Sequence, residues 1–447
     1  MPATSRHQTD DTPATSARDL AARVLTAQAA RFPEIEAVEL DTSKLDPREA
    51  SLAHALYDAA VRRWLTLEWL LTRHLSRPFR ELEPAMRAVL LVGAAQLTLF
   101  DRIPAHAAID EAVEWAKRRI RPGAAGMVNA VLRKVAAEVA DRTESPGDTD
   151  IPLDESSGRV FRGAWPTDQL EAVAARYSMP PQLIRRWRKR LSRREVIDIC
   201  QHGLVRPPTI LNTRHATTPV PADATAPHRY EHHALWTGPH ESLAAILRSR
   251  TDVWVQDPAS SGAVESIASR RPAVIADLCA GQGTKTRQLA ATFPNAKIIA
   301  TDVDRARFAV LRDTFNEHDR VSVVPPRQAL ADLTGQTDLV LLDVPCSNTG
   351  VLGRRVEARY RCTRAALERL TDIQRQLIAD SVPLLTPKGA ILYATCSVET
   401  RENEEITAWA GQWHRFRPDF VRRTLPAAPS GQASSVDGSF STLLTRA

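Results

Sequence analysis

Apolar residues recur at helical spacing from Ala17 to about Val139. Ala21, Ala22, Val24 and Leu25 form one stripe, and Leu52, Leu56, Ala59, Ala60 and Trp64 form another that Trp69, Leu70 and Leu75 continue. Pro84 suits the first turn of a helix, where its missing N–H costs nothing, ahead of the apolar run 86–92. Asp101-Arg102-Ile103-Pro104 breaks the pattern, and Arg121-Pro122-Gly123-Ala124-Ala125-Gly126 separates two further helices over 107–120 and 127–139. This pattern predicts an all-helical bundle over 15–140 with its own core. Residues 1–14 are polar and predict disorder. Residues 141–164 carry Pro, Gly, Ser and acids without periodicity, so they predict a linker. Within 165–250, helices over 169–177 and 180–200 and a strand over 209–212 predict a small mixed α+β module.

From 251 to 447 the period changes. Strands over 273–277, 297–302, 321–324, 339–342 and 390–393 alternate with helices over 284–293, 305–315, 364–385 and 402–413. The strand over 339–342 is apolar without alternation, as a strand covered on both faces is. The pattern predicts a doubly wound, Rossmann-like parallel sheet, with 439–445 as an antiparallel edge strand. The fold class expected is therefore multidomain: an all-α bundle, a small α+β module and an α/β domain.

With 43% hydrophobic and 25% charged residues in 447, the chain can build several cores. No apolar run approaches a membrane span, and the N-terminal stretch lacks a signal-peptide core, so the expectation is a cytoplasmic protein without a membrane partner. Five cysteines without a C-x-x-C pair, and no H-E-x-x-H, argue for reduced thiols and against a disulfide framework or a metal. The His232-His233 pair lacks ligand spacing and is expected at the surface. Net charge is +6, and the tract 176–214 alone holds ten Lys or Arg against Glu195 and Asp198. A basic surface centred on Arg185, Arg186, Arg188, Lys189 and Arg190 suggests RNA, although a solvated helix face has the same composition.

The first strand of the α/β region runs into Asp277-Leu278-Cys279-Ala280-Gly281-Gln282-Gly283-Thr284-Lys285-Thr286. Small residues at a strand-to-helix turn let backbone N–H groups approach a ligand. The second strand ends in Asp302, which suits a ribose hydroxyl. Together they predict a nucleoside cofactor, either a dinucleotide or S-adenosylmethionine. Two thiols favour the latter, since hydride transfer has no use for them. Cys346 follows the strand 339–342 within Asp343-Val344-Pro345-Cys346-Ser347-Asn348-Thr349-Gly350, and Cys396 follows 390–393 within Ala394-Thr395-Cys396-Ser397. If those strands are neighbours, both thiols face one crevice. Carbon 5 of cytosine is a poor nucleophile until a thiolate adds to carbon 6; an acid must hold the ring edge, and a second group must manage the carbon-5 proton. Asp343, Cys346 and Cys396 are those residue types. The bland alternative is two small buried hydrophobes.

Asp343–Gly350 and Ala394–Ser397 closely resemble motifs IV and VI of the RNA cytosine-5 methyltransferases. Val255-Gln256-Asp257-Pro258-Ala259-Ser260-Ser261 resembles the entry to that family's catalytic domain. Residues 101–113 (DRIPAHAAIDEAV) and 123–133 (GAAGMVNAVLR) resemble the antitermination factor NusB. The combination resembles the ribosomal RNA small-subunit methyltransferase B (Sun) family over nearly the whole chain. The resemblance implies Cys396 as nucleophile, Cys346 as the group assisting proton removal and release, and Asp343 on the cytosine edge near the cofactor. It implies S-adenosylmethionine held by Cys279, Ala280, Gly281, Gln282, Gly283, Thr284 and Lys285, with Asp302 on the ribose and Arg307 nearby. It also implies small-subunit rRNA as partner, before full ribosome assembly, with 165–250 as a pre-catalytic RNA-binding module. Two departures stand out. The family's C-A-A-P-G-G-K-T is here Cys-Ala-Gly-Gln-Gly-Thr-Lys-Thr, which keeps the general glycine pattern. The family's Gly-Asp-Ala after the third strand is here Val324-Pro325-Pro326-Arg327-Gln328, so no adenine-binding residue is assigned. These altered loops motivate a rival, a non-catalytic NusB-like RNA-binding or antitermination protein, which the retained thiols oppose. A second rival is the same chemistry on another RNA such as tRNA.

Overall fold

The structure, a computed structural model, describes residues 14, 16–144, 146–427 and 432–446. The expectation for residues 1–14 lies outside these, except at Ala14. Two compact units are present. One is made of the described residues of Pro207–Val351 and those from Cys362 to Arg446; the other is the described residues from Ala14 to Arg206 together with Leu352–Arg361. The expected module at 165–250 is thus divided at 206/207, because its halves pack into different cores.

The helical unit contains helices Ala17–Arg31, Pro47–Arg62, Trp64–Thr72, Pro84–Leu99, Ala105–Arg119 and Ala124–Glu138. Pro84 takes the predicted first-turn position. Asp46 caps the second helix by accepting from the Arg48 and Glu49 N–H groups, with Pro47 in the first turn. Leu25, Leu56, Trp64, Leu67, Leu90, Val128 and Leu132 are buried in one core, as the stripes predict. The expected linker 141–164 is instead structured. Val139–Thr143, Gly158–Phe161 and Ile151–Pro152 form a three-stranded antiparallel sheet. Ile151 and Phe161 pack with Leu70, and Trp69 stacks on Trp165 at 4.5 Å. Two inward residues on such short strands leave no periodic signal. The predicted helix over 180–200 is two, Pro181–Trp187 and Arg193–His202. The second starts at a capping box between Ser192 and Glu195, a signal present in the sequence.

The insert Leu352–Arg361 is pinned within this unit by Arg359 and Tyr360. The buried Arg359 guanidinium donates to the carbonyls of Gly203 (2.6 Å), Ser178 (3.3 Å), Leu352 (3.3 Å) and Arg62 (3.4 Å). The Tyr360 hydroxyl donates to the Val61 carbonyl at 2.7 Å.

In the other unit a four-stranded antiparallel sheet precedes the α/β region, in the order Thr225–Pro227, His233–Trp236, Ile210–Asn212, Trp254–Val255. His233 is buried rather than at the surface; its Nε2 lies 3.1 Å from the Ser261 hydroxyl. The main sheet has seven strands: β1 Val274–Asp277, β2 Lys297–Ala300, β3 Val321–Val323, β4 Thr337–Asp343, β5 Leu385–Thr395, β6 Phe416–Thr424 and β7 Ser439–Arg446. Their order is β3-β2-β1-β4-β5-β7-β6, parallel through β5, with β7 antiparallel to both neighbours. The predicted edge strand is therefore internal, and β6 is the edge. Arg417, Pro418, Asp419, Arg422 and Arg423 hide β6 from a hydrophobicity reading, and a proline without an N–H suits an edge. Along β4, Leu339 and Leu341 enter one core and Val340 and Leu342 the other, which explains the run without alternation. No described helix is long and apolar enough to cross a membrane.

Candidate active site

β1 and β4 are neighbours, and strand order reverses between them, so the crevice beyond their carboxyl ends is the switch point of the sheet. The thiol strands also pair directly, with Asp343 opposite Ala394. The loop after β4 is held to the loop after β5 by the Gly350 N–H donating to the Cys396 carbonyl at 2.9 Å. A Cβ on Gly350 would sit 2.6 Å from the Gly438 oxygen and 2.8 Å from that of Cys396, so only glycine permits this approach.

The two sulfurs lie 3.3 Å apart. The Cys396 thiol also donates to Asn348 Oδ1 at 3.1 Å, and the same amide donates from Nδ2 to the Cys346 carbonyl at 3.0 Å. Asn348 adopts φ of 58°, a left-handed conformation that asparagine tolerates. The hydrogen bond with Cys396, burial, and the charges of Cys396 and Glu402 push the Cys346 thiol well above its ordinary pKa. Cys346 therefore keeps its proton, and Cys396 is the more accessible sulfur.

Lys285 reaches across from the glycine turn. Its ammonium lies 2.8 Å from Asp343 Oδ2 and 3.0 Å from the Ser260 hydroxyl. Burial acts to lower its pKa, but the charge and hydrogen bond of Asp343, with the Cys396 and Asp277 groups, raise it overall. A permanent cation thus stands beside Asp343.

In the glycine turn, Gly281 and Gly283 have φ of 59° and 93°, and nothing lies within 4 Å of a Cβ built on Gly281. Gln282 and Thr284 are exposed, Ala280 is buried, and Cys279 is partly buried. The Cys279 thiol is pushed well up by burial and by Asp277, Asp343 and Asp302, so it stays protonated. Asp302 accepts the Gly281 N–H on Oδ2 and the Asp304 N–H on Oδ1, both at 2.8 Å. Asp304 caps the helix Arg305–Phe315 through the Arg307 N–H, and the buried Arg307 Nε has no hydrogen-bond partner among the described residues. Asp277 Oδ2 accepts from the Thr286 hydroxyl at 2.7 Å, while its Oδ1 is buried without a partner among the described residues. After β3, Pro325 and the helix Pro326–Asp332 offer no carboxylate before Asp332.

The structure thus gathers Cys346, Cys396, Asp343 and Lys285 around one pair of loops, with Asp277 and Asp302 flanking the glycine turn. Arg185, Arg188, Lys189 and Arg190 are exposed and Arg186 half-buried, all in the helical unit. Sequence reasoning missed Asn348, the partnering of Lys285 with Asp343, and a buried cluster of Ser347, Ser397, Gln374 and Glu402. The only linear hint of that cluster is that a serine follows each thiol.

Burial raises the Asp277 pKa from 3.8 to about 7, with Asp343 adding to the effect against the Thr286 hydrogen bond. The folded chain then holds this proton more tightly than the unfolded one. The associated stability is fully present below about pH 4 and is lost as pH rises towards 7. Asp277→Asn is expected to remove that slope, so its thermal midpoint relative to the native protein should rise between those pH values. A constant difference across the range contradicts a protonated Asp277.

The sheet order, the glycine turn and the acid after β2 define a Rossmann-like enzyme of the methyltransferase class. The NusB family model matches residues 15–137, and the 16S rRNA methyltransferase RsmB/F model matches 266–418. Ribosomal RNA small subunit methyltransferase B of Erwinia tasmaniensis is 31% identical, over 80% of this chain and 80% of that one. The protein of the same name from Xanthomonas campestris pv. campestris is 33% identical, over 80% of this chain and 78% of that one. A solved methyltransferase homolog from Pyrococcus horikoshii shares the fold, with a TM-score of 0.52 and 19% identity over 63% of this chain and 100% of that one. The chain belongs to the ribosomal RNA small subunit methyltransferase B family: an rRNA methyltransferase in which a NusB-like helical region precedes the α/β domain.

Proposed function

We propose that this enzyme methylates carbon 5 of a cytidine in small-subunit rRNA, using S-adenosylmethionine and a covalent cysteine–cytosine intermediate. The observation that carries this reading is the 3.3 Å approach of the Cys346 and Cys396 sulfurs at the ends of paired strands. The residues around the glycine turn fit the cofactor. Gly281 fronts open space, Asp277 Oδ1 is buried without a hydrogen-bond partner among the described residues, and Asp302 orders the turn through the Gly281 N–H. Ala280, Gly281, Gln282 and Gly283 would hold it, with Cys279, Thr284 and Arg307 bordering the same turn. Bound there, S-adenosylmethionine supplies an electrophilic methyl group.

The chain's own residues do the rest. Asp343, oriented by Lys285, holds the polar edge of the cytosine. Cys396, as thiolate, forms the bond to carbon 6, and the ring electrons displaced make carbon 5 nucleophilic enough to take the methyl group. The carbon-5 proton then passes to the Cys346 sulfur while the Cys346 proton passes to the Cys396 sulfur. The carbon 6–sulfur bond breaks and the carbon 5–carbon 6 double bond returns. Both thiols end protonated, and Cys396 loses one proton to solvent before the next cycle.

The test is to incubate purified protein with S-adenosylmethionine and unmodified small-subunit rRNA, then analyse the nucleosides by mass spectrometry. We expect 5-methylcytidine at one position. Methyl on a nitrogen, on a ribose or on another base would overturn the reading, and methylation of tRNA in preference to rRNA would move the target. Asp302→Ala should weaken cofactor binding, since a hydrogen bond to a charged acceptor contributes about 1.5–3 kcal/mol. Unchanged affinity by calorimetry would contradict its place beside the ribose.

A further inference from the structure

Glu402 is a fully buried carboxyl between β5 and the helix Glu404–His414. Its Oε1 accepts the Ser347 N–H at 2.9 Å and the Gln374 side-chain amide at 3.1 Å. Its Oε2 is hydrogen-bonded to the hydroxyls of Ser347 and of Ser397, the latter at 2.6 Å. Those hydroxyls are 3.0 Å from each other. Ser347 directly follows Cys346, and Ser397 directly follows Cys396. One side chain thus grips the residue after each thiol. The grip is itself anchored: the Tyr393 hydroxyl, from β5, donates to the Glu402 carbonyl at 2.6 Å. Burial raises the Glu402 pKa against the hydrogen bonds from Ser347, Ser397 and Gln374.

We infer that Glu402 is a positioning residue that sets the spacing of the Cys346 and Cys396 sulfurs by holding the residue after each. This inference rests on the proposed division of labour between the two thiols. Proton exchange between the sulfurs needs them in contact, whereas attack by Cys396 alone does not. Loosening the grip should therefore slow release of the methylated base more than formation of the bond to it. A role in stability alone would lower both together.

Glu402→Gln can keep the arrangement: its oxygen accepts from Ser347 and Gln374, and its amide donates to the two hydroxyls. Glu402→Ala cannot. In Glu402→Ala, turnover should fall by up to about 100-fold, the scale of a misplacement near 1 Å. Cofactor affinity should stay within about twofold, and the KM for RNA should fall along with turnover, because slow breakdown of a covalent adduct lowers both together. A denaturant-resistant protein–RNA adduct should accumulate, and Glu402→Gln should restore turnover without adduct. Turnover at the native level in Glu402→Ala, or abolished turnover without adduct, would overturn the inference. If Glu402→Ala fails to bind cofactor through misfolding, Ser397→Ala cuts the Cys396 side of the grip and carries the same expectation, while Ser347→Ala keeps its backbone N–H on Oε1 and should show a smaller effect. Cys346→Ala is run alongside. No adduct there means the two-thiol reading has failed; adduct there but in none of the grip variants means only this inference has.

Discussion

Cys396→Ala is expected to abolish methylation and to leave no covalent adduct with RNA, whereas Cys346→Ala should form an adduct that breaks slowly. The difference follows from the separate tasks of the two sulfurs. Cys396 is the partly exposed one, and in the proposed scheme it makes the bond to carbon 6. Cys346 is buried and holds its proton, and in the same scheme it acts only once the methyl group is in place. With Cys346 gone, the carbon-5 proton has no relay, so the bond to Cys396 persists. A denaturing gel with labelled RNA reads this directly in the presence of S-adenosylmethionine. The double variant should behave like Cys396→Ala. The base must leave its stack to reach the crevice, at a cost of a few kcal/mol, so a target in an unpaired segment should react best. An adduct that persists in Cys396→Ala and vanishes in Cys346→Ala would reverse the assignment. Methylation intact in both single variants, with no adduct in either, would sink covalent catalysis.

The catalytic strands were legible because β4 and β5 are covered on both faces, which forces unbroken apolar runs that end abruptly in polar loops. Their pairing was only a condition of the argument, and the register of Asp343 with Ala394 meets it. What was not legible is what long-range packing decides. β6 holds three arginines and an aspartate in nine residues because much of it faces solvent, so its pattern looks like a surface loop. The sheet within 139–161 rests on Ile151 and Phe161 meeting Leu70, far away in sequence. Nothing local marks Leu352–Arg361 as belonging with the helices; its membership depends on Arg359 and Tyr360 finding carbonyls about 150 to 300 positions away. Glu402 escaped for the same reason, since Ser347 is 55 residues distant. In each case, short-range pattern identified the element, and the partner that gives it a role came from elsewhere in the chain.

Reversing Arg185, Arg186, Lys189 and Arg190 to Glu should weaken RNA binding and flatten its dependence on salt, with cofactor binding intact. The physical basis is how the short helix Pro181–Trp187 is seated. Leu183, Ile184 and Trp187 are buried, which fixes the helix and leaves Arg185, Lys189 and Arg190 in solvent. Arg186 is half-buried and already has an interaction partner, so its share should be the smallest. Arg188 caps the helix end and is best left in place. Because the apolar side chains are untouched, the variant should stay folded, with a thermal midpoint somewhat lowered by the loss of the Arg186 contact and of cations in the last helical turn. For single-stranded RNA, every phosphate that is no longer neutralised removes about 0.7 from the slope of log affinity against log salt, so four of them would remove nearly 3. Binding measured across a salt series separates this from a general weakening of affinity. A merely solvated tract would leave the slope where it was, whereas a shallower slope with unchanged cofactor affinity would mark these side chains as the RNA-neutralising surface of the helical unit.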